Sequence, residues 1–251
     1  MKRFAFLGYG LVCYAVFFVS FLYAIGFVGN IWVPKSIDSA PTAPFGVALM
    51  INLGLLAVFA LQHSVMARPA FKRVWTRIVS PVIERSTYVL FTSLALIALF
   101  AFWQPMGGVV WTVESPLAQA VLYAIFGLGW LIVLLSTFLI NHFDLFGVRQ
   151  VWLAFRGRPY TEVPFKSNGP YRWVRHPIYF GFLLAFWATP VMTVAHLVYA
   201  VMCTAYILIG IQLEERDLQD HLPEYAAYRD EVSMIIPRPP KTTRLPSEVN
   251  A

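Results

Sequence analysis

The chain has 251 residues, of which 59% are hydrophobic, 16% are aromatic and only 13% are charged. Soluble globular domains carry about 25% charged residues, so this chain has roughly half of the charge that a water-exposed surface needs. The composition excludes a disordered chain, a collagen-like repeat and a soluble nucleic-acid-binding domain, and it indicates an integral membrane protein. Cys13 and Cys203 both lie in apolar runs, which excludes a disulfide framework.

Uncharged segments predict the membrane topology, because a helix needs about 20 apolar residues to cross the hydrocarbon core. The last uncharged run, 178–213, contains Thr189-Pro190. Since proline ends or kinks a helix, we predict that this run forms a helical hairpin that turns near 190–196. The sequence therefore predicts an all-α polytopic membrane protein with about six segments in one domain over 1–237, followed by a disordered tail over 238–251. The predicted segments are 4–28, 45–66, 86–103, 116–140, 178–189 and 191–213.

Basic residues test the number of segments. Of the 19 lysines and arginines, all except Lys35 fall at the N-terminus, in the loops 67–85 and 141–177, or in the tail. With six segments these positions share one side of the membrane, and the positive-inside rule places both termini in the cytoplasm. With five segments the basic tail would lie outside. The same distribution explains the net charge of +6 without a nucleic-acid partner.

A first polar segment, 168–179, leads into the fifth predicted membrane segment and reads Asn-Gly-Pro-Tyr-Arg-Trp-Val-Arg-His-Pro-Ile-Tyr. Asn-Gly-Pro is a turn signal, and Pro177, directly after His176, suits the first position of a helix. A helix N-terminus favours an anion such as a carboxylate, and nearby aromatic faces favour a cation. The alternative is a membrane-entry segment with interfacial arginines and aromatics. The aromatic residues are Tyr171, Trp173 and Tyr179.

A second polar segment begins with Glu214 and Glu215, where the last uncharged run ends. Carboxylates at a helix C-terminus oppose the helix dipole and the negative inner leaflet, so we expect a partner there. An arginine from the loop or a bound cation would serve, and the alternative is a solvated helix end. Downstream, 223–228 predicts a short helix with Tyr225 and Tyr228 one turn apart.

A third polar segment, 141–147, reads Asn-His-Phe-Asp-Leu-Phe-Gly. His142 and Asp144 are two positions apart, which does not suit shared metal ligation on a helix, and no Cys/His cluster supports a metal. A histidine near a carboxylate does suit proton transfer, and the alternative is packing at the membrane interface. His63 is a weaker candidate of the same kind.

The absence of several well-known motifs from the sequence excludes further classes of function. The sequence has no G-x-G-x-x-G after a strand, no Walker A motif and no G-x-S-x-G, so a nucleotide-like cofactor would need a non-Rossmann pocket. Channels and pumps usually carry charged residues within their spans, and the uncharged runs here carry none.

Two groups of motifs carry a family resemblance. Arg175-His-Pro-Ile-Tyr179, Glu214-Glu-Arg-Asp-Leu218 and the segment 225–232 resemble the isoprenylcysteine carboxyl methyltransferase superfamily, which includes bacterial phospholipid methyltransferases. That likeness covers 168–237. The segments 62–72, 84–88, 141–147 and 156–160 are similar to bacterial methanethiol S-methyltransferases and the related NnrU-like proteins, and they extend the likeness over nearly the whole chain.

The resemblance implies an enzyme that uses S-adenosylmethionine to methylate a small lipid-soluble thiol, methanethiol to dimethyl sulfide. It places the reaction at the cytoplasmic face of a bacterial inner membrane, with the bilayer as the surroundings. Alternatives are another acceptor, such as an isoprenylcysteine carboxylate or a phospholipid amine, and a non-catalytic NnrU-like protein.

The resemblance also implies roles for residues. His142 or Asp144 would be the base that helps to form the thiolate. The cofactor has a carboxylate suited to a helix N-terminus, an ammonium suited to glutamate and a sulfonium suited to aromatic faces. The implied cofactor-binding residues are Tyr171, Arg175, His176, Pro177, Tyr179, Glu214, Glu215 and Tyr228.

Overall fold

A computed structural model describes residues 1–163 and 169–239. Asn168, with which the predicted turn begins, and positions 240–251 of the predicted tail lie outside the described residues. Two short antiparallel strands, β1 (Val109–Thr112) and β2 (Val191–Thr193), pair with each other. A single 3₁₀ turn over Gly169–Arg172 precedes the helical hairpin. The helices are α1 (Lys2–Gly29), α2 (Phe45–Ala67), α3 (Pro69–Trp75), α4 (Pro81–Phe102), α5 (Pro116–Ile140), α6 (His142–Leu145), α7 (Val148–Phe155), α8 (Pro177–Trp187), α9 (Val194–His221) and α10 (Pro223–Glu231).

Five helices within 1–163 and 169–239 are long and apolar enough to cross a membrane, namely α1, α2, α4, α5 and α9. This confirms the prediction of an all-α polytopic membrane protein. The fifth predicted segment corresponds to α8, which has 11 residues. At about 1.5 Å per residue it reaches about half of the ~30 Å hydrocarbon core.

The predicted hairpin is formed by α8 and α9, which run antiparallel. Near the turn, the Trp187 Nε1–H donates to Thr204 Oγ1 at 3.0 Å. At the other end, the Tyr179 hydroxyl donates to Glu214 Oε2 at 2.9 Å. Pro190 lies between the two helices, in the connection that includes β2. The hairpin therefore places the segment before α8 beside the end of α9.

The described residues form two compact units. The first consists of Met1–Thr112, His142–Glu162 and Val191–Val198. In it, α4 packs against α1 and α2, and α7 packs against α1. The contact of α1 with α7 is close, because a Cβ atom on Gly10 would lie only 2.6 Å from Val151 Cγ2.

The second unit comprises Val113–Asn141, the described part of Val163–Pro190, and the chain from Tyr199 onward. Its helices α5 and α8 meet at two glycines. A Cβ atom on Gly129 would lie 2.6 Å from the Gly181 carbonyl oxygen. A Cβ atom on Gly181 would likewise lie 2.6 Å from the Gly129 carbonyl oxygen. Small residues let membrane helices approach closely, and this approach holds α8 against α5. The prediction of one domain over 1–237 stays a prediction.

Replacing Gly129 by alanine is expected to destabilise the protein by about 1–3 kcal/mol, because the new methyl group has no room against the α8 backbone. Gly127 is a matched control on the same helix, since a Cβ atom added there would have nothing within 4 Å. Alanine at that position is expected to be neutral or stabilising, by up to about 1 kcal/mol of helix propensity. Thermal unfolding in detergent measures both variants, and equal shifts would contradict the glycine contact.

Candidate functional site

A buried ionic cluster connects the start of α8 with the end of α9. The Arg175 Nε–H donates to Glu215 Oε1 at 2.8 Å, and His176 Nε2 lies 3.0 Å from the same oxygen. All three side chains are less than 10% exposed. Pro177 occupies the first turn of α8 as predicted, with His176 as the capping residue. Arg175 is thus a loop arginine of the kind expected at the end of α9, and the carboxylate that it pairs with is Glu215.

Arg175 also holds the chain after α10. Its Nη1 donates to the carbonyl oxygens of Arg229, at 2.8 Å, and Val232. The backbone N–H of Arg175 donates to the Ser233 carbonyl oxygen at 2.8 Å. The planar guanidinium offers several donors in a fixed arrangement, so one side chain fixes Glu215 and the end of α10 together. Arg175 and Glu215 therefore use several of their hydrogen-bonding groups in contacts within the protein.

Glu214 differs from its neighbour because its side chain is 43% exposed. Tyr179 donates to Glu214 Oε2, and His176 Nδ1 lies 3.8 Å from the same oxygen. The rings of His176 and Tyr179 stack with their centroids 5.5 Å apart. The N-terminus of α8 thus lies beside an accessible carboxylate and an aromatic pair. This combination is suited to a ligand that carries both a carboxylate and a cation.

Tyr171 and Tyr228, two further predicted cofactor residues, are buried in the same unit. The Tyr228 hydroxyl donates to the Tyr171 carbonyl oxygen at 2.6 Å. Tyr228 also packs with Tyr225 and Val232 in a hydrophobic cluster, as part of the predicted short helix α10. Burial raises the pKa of the Tyr171 and Tyr228 hydroxyls well above the ordinary value, so both are neutral. The Tyr228 hydroxyl therefore uses its proton in the hydrogen bond to Tyr171.

The candidate catalytic residues His142 and Asp144 belong to the first unit. His142 is 3% exposed, and its Nε2 lies 2.8 Å from the Tyr14 hydroxyl. Aromatic rings surround the imidazole, among them Phe146 at 4.8 Å between centroids. Burial lowers the pKa of His142. Its imidazole is therefore uncharged at neutral pH, which is the form that accepts a proton.

Asp144 is engaged by two other side chains. Arg149 Nη1 donates to Asp144 Oδ1 at 2.8 Å, and the Tyr160 hydroxyl donates to Oδ2 at 3.2 Å. Burial, followed by the charge of Asp144, raises the pKa of Tyr160. Both carboxylate oxygens of Asp144 therefore already accept hydrogen bonds within the protein. Of the two candidates, His142 has the environment of a base and Asp144 that of an ion-pair partner.

The first unit also brings together segments that are far apart in sequence. The Tyr88 hydroxyl lies 3.0 Å from His63 Nδ1, which joins α2 to α4. The Arg85 Nε–H donates to the Leu145 carbonyl oxygen at 2.7 Å. Gly147 has a φ of +85°, and a Cβ atom there would lie 2.6 Å from the Ser86 nitrogen. The motifs over 62–72, 84–88 and 141–147 therefore form one packed region.

Sequence reasoning misses the partners of both candidate catalytic residues. Tyr14 lies in the first apolar helix, 128 positions before His142. Its only signal is a polar group within an apolar span, which is also typical of interfacial tyrosines. Arg149 stands in the sequence as one of several basic loop residues. It is five positions from Asp144, which is not the spacing of three or four at which side chains on one helix meet.

Comparison with known proteins identifies the family. A family model described as "Protein of unknown function (DUF1295)" matches residues 54–232. The chain is 56% identical over 244 residues to Methanethiol S-methyltransferase of Mycobacterium tuberculosis, covering 97% of this chain and 100% of that protein. The chain belongs to the methanethiol S-methyltransferase family. It is 54% identical over 230 residues to the protein of that name from Crocosphaera subtropica, covering 91% and 90% of the two chains.

Membership of this family confirms the resemblance inferred from the motifs and makes the chain a membrane-embedded methyltransferase. A more distant similarity is to Nurim of Xenopus laevis, which is 33% identical over 184 residues, covering 69% of this chain and 63% of that protein. No solved structure matches the chain.

Proposed function

We propose that this protein transfers a methyl group from S-adenosylmethionine to methanethiol, giving dimethyl sulfide, at the cytoplasmic face of a bacterial inner membrane. The observation that carries the proposal is the 56% identity, over nearly the full chain, to a protein named Methanethiol S-methyltransferase. The described residues support it in two separate places, one suited to the cofactor and one suited to activation of a thiol.

The residues before α8 and at the end of α9 fit the methyl donor. When bound, S-adenosylmethionine supplies an activated methyl group and loses its sulfonium charge on transfer. The half-exposed Glu214 carboxylate is suited to the amino-acid ammonium, and the N-terminus of α8 is suited to the carboxylate. Tyr179 and His176 contribute aromatic surface beside Glu214. Arg175, Glu215, Tyr171 and Tyr228 form the buried support of this site.

His142 is the residue proposed to accept the thiol proton. Its imidazole is neutral because burial lowers its pKa, and Tyr14 fixes the position of the ring through Nε2. Asp144, paired with Arg149, instead connects α6 to the start of α7. A thiol is a poor nucleophile until it is deprotonated, so a neutral base is what the acceptor requires.

The proposed membrane orientation rests on charge. It counts α8 and α9 together as a hairpin whose two polar ends lie on one side of the membrane, since Tyr179 on α8 donates to Glu214 on α9. All lysines and arginines except Lys35 then fall in the segments that the positive-inside rule assigns to the cytoplasm. The polar residues around α8 and the end of α9 fall on the same side. A hydrophilic cofactor would then reach them from the cytosol, whereas a small apolar thiol partitions into the bilayer.

An acceptor panel tests the proposed function. The purified protein is supplied with S-adenosylmethionine and, separately, with methanethiol, hydrogen sulfide, a prenyl-cysteine analogue or phosphatidylethanolamine. We expect dimethyl sulfide from methanethiol at a rate far above that of any other methylated product. Preferred methylation of the prenyl-cysteine carboxylate or of the lipid amine would reassign the acceptor. No methylated product from any acceptor, in a folded sample, would contradict the proposal.

A further inference from the structure

An apolar groove of about 480 Å³ runs between α1 and α4 in the first unit. Its walls extend from Ala15 to Tyr23 on α1 and from Ile97 to Ala101 on α4. The hydroxyl of Ser20, the polar group midway along it, donates to the Val16 carbonyl oxygen at 2.8 Å. Val19 is 66% exposed. Since both helices are long and apolar enough to span the membrane, the groove opens toward lipid.

An ammonium group lies at one end of this groove. Lys35 Nζ donates to the Ala101 carbonyl oxygen at 2.6 Å, and the Tyr23 hydroxyl donates to the Lys35 carbonyl oxygen at 2.9 Å. Tyr23 and Ala101 both line the groove. Two hydrogen bonds therefore fix Lys35 to its walls, with the charge at the edge of the apolar surface.

The charge of Lys35 is not neutralised within the part of the chain that the structure describes, where it forms no ion pair. The carboxylate nearest in sequence is Asp38. Asp38 is engaged by Asn30, at 2.8 Å, by Thr193 and by His196, at 3.5 Å. Burial raises the pKa of Asp38, but the hydrogen bonds from His196, Thr193 and Asn30 outweigh it and lower the pKa. Lys35 thus remains available to an anion.

The length of the groove matches one leaflet of a bilayer. The eight residue steps from Ala15 to Tyr23 span about 12 Å at 1.5 Å per residue. Half of the hydrocarbon core is about 15 Å. Trp32, beside this end of α1, is fully exposed and has a φ of +52°. Bulky residues disfavour that conformation, and an outward indole at a helix end is typical of an anchor at the membrane interface.

We propose that this groove binds one anionic phospholipid, with an acyl chain along α1 and α4 and the headgroup phosphate on Lys35. An ammonium at the interface attracts phosphate, and the apolar walls of the groove cover the acyl chain of the same lipid. The site uses none of the residues assigned to methyl transfer, so it stands or falls independently of the proposed function.

Native mass spectrometry of the full-length protein in detergent tests the site, with phosphatidylglycerol as the probe. Lys35→Gln is expected to weaken binding of the first lipid about five-fold, as removal of one basic residue near an anionic surface does. Ala101→Phe, on an exposed position of α4, is expected to displace the acyl chain and to weaken binding at least as much. Lys2→Gln, at the other end of α1, and Ala57→Phe, on the exposed face of α2, are the matched controls.

The outcomes separate the possible sources of binding. Parent protein that retains phosphatidylglycerol better than phosphatidylcholine, with losses only in the two groove variants, is the expected result. Equal retention in all five proteins would overturn the proposal, and so would competition by glycerophosphate alone at the same concentration. A loss in Lys35→Gln without a loss in Ala101→Phe would overturn the acyl-chain part. A second copy of the chain in place of lipid, seen as a dimer that Ala101→Phe disrupts, would also overturn it.

Discussion

Glu215→Ala is expected to destabilise the folded protein by about 3–5 kcal/mol, because it leaves the Arg175 guanidinium buried without its counter-charge. Arg175 and Glu215 are both less than 10% exposed, and their closest atoms are 2.8 Å apart. Glu214→Ala is the matched control one position away. Its side chain is 43% exposed, and loss of such an exposed group costs under about 1 kcal/mol. Thermal or denaturant unfolding in detergent measures the difference between the two variants.

A double variant separates the ion pair from simple loss of packing. Replacing both Arg175 and Glu215 by methionine removes both charges while it retains volume, and substitution of a buried ion pair by apolar residues is often close to neutral. We therefore expect the double variant to recover part of the stability lost in Glu215→Ala. The recovery is incomplete, because Arg175 also donates to the Arg229 carbonyl oxygen. Equal destabilisation by Glu214→Ala and Glu215→Ala would show that the buried cluster does not hold the hairpin.

His142→Ala is expected to lower turnover with methanethiol by about 10²–10⁴-fold, the usual contribution of a positioned base. Because burial lowers the pKa of His142, the parent loses activity only when the pH falls below the ordinary histidine value of about 6.5. His142→Ala lacks this acidic limb and recovers part of its rate at high pH, where more thiol is already ionised. Initial rates of dimethyl sulfide formation across pH measure both effects, and cofactor affinity should barely change.

Asp144→Asn is the comparison for this prediction, because it removes the charge that Arg149 binds and leaves the imidazole in place. It is expected to reduce stability and to keep the shape of the pH profile. The lowered pKa of His142 also makes the stability of the parent protein depend on pH. Its folded pKa lies below the unfolded value, so the unfolded chain binds more protons and stability falls as the pH drops below about 6.5. Unchanged turnover and parallel pH profiles in His142→Ala would exclude it as the base.

The sequence predicts a membrane-spanning helix closely where the uncharged run and the helix end at the same residues. The segments 45–66 and 116–140 agree with α2 and α5 to within one residue. The predicted start at 86 is late, because α4 begins at Pro81 and includes Glu84 and Arg85 in its first turns. Absence of charge defines the apolar core of a helix, whereas its first turn favours acidic residues. Similarly, α9 continues past Glu214 to His221, through charged residues that lie beyond the uncharged run.

For the hairpin, the sequence predicts both the connection and the place where the run divides. Pro190 lies in the break, and the predicted boundaries 178, 189 and 191 fall within three residues of the ends of α8 and the start of α9. The uncharged run does not predict the end of α9, because this helix continues past it to His221. The sequence does not predict the pairing of β1 with β2 either, since it depends on contact between segments about 80 positions apart.

Within the candidate site, the sequence predicts which segments meet but not what each residue does. The hairpin brings Arg175 and His176 to Glu214 and Glu215, as the motifs suggest. Successive helical residues point about 100° apart, so the rotation of α9 decides that Glu215 is buried and Glu214 half-exposed. That rotation is set by packing. The contact of Tyr14 with His142 is likewise not predictable from the sequence, because it depends on where α1 packs.

Equilibrium binding of S-adenosylmethionine is the decisive experiment, since the proposed activity and the proposed cofactor site both require it. We expect the purified parent protein to bind the cofactor. Glu214→Gln should weaken binding by about ten-fold or more, the loss expected for a hydrogen bond to a charged group. Asp220→Asn, an exposed carboxylate further along α9, should leave affinity unchanged. A folded parent that does not bind S-adenosylmethionine, or equal affinities in Glu214→Gln and the parent, would contradict the account.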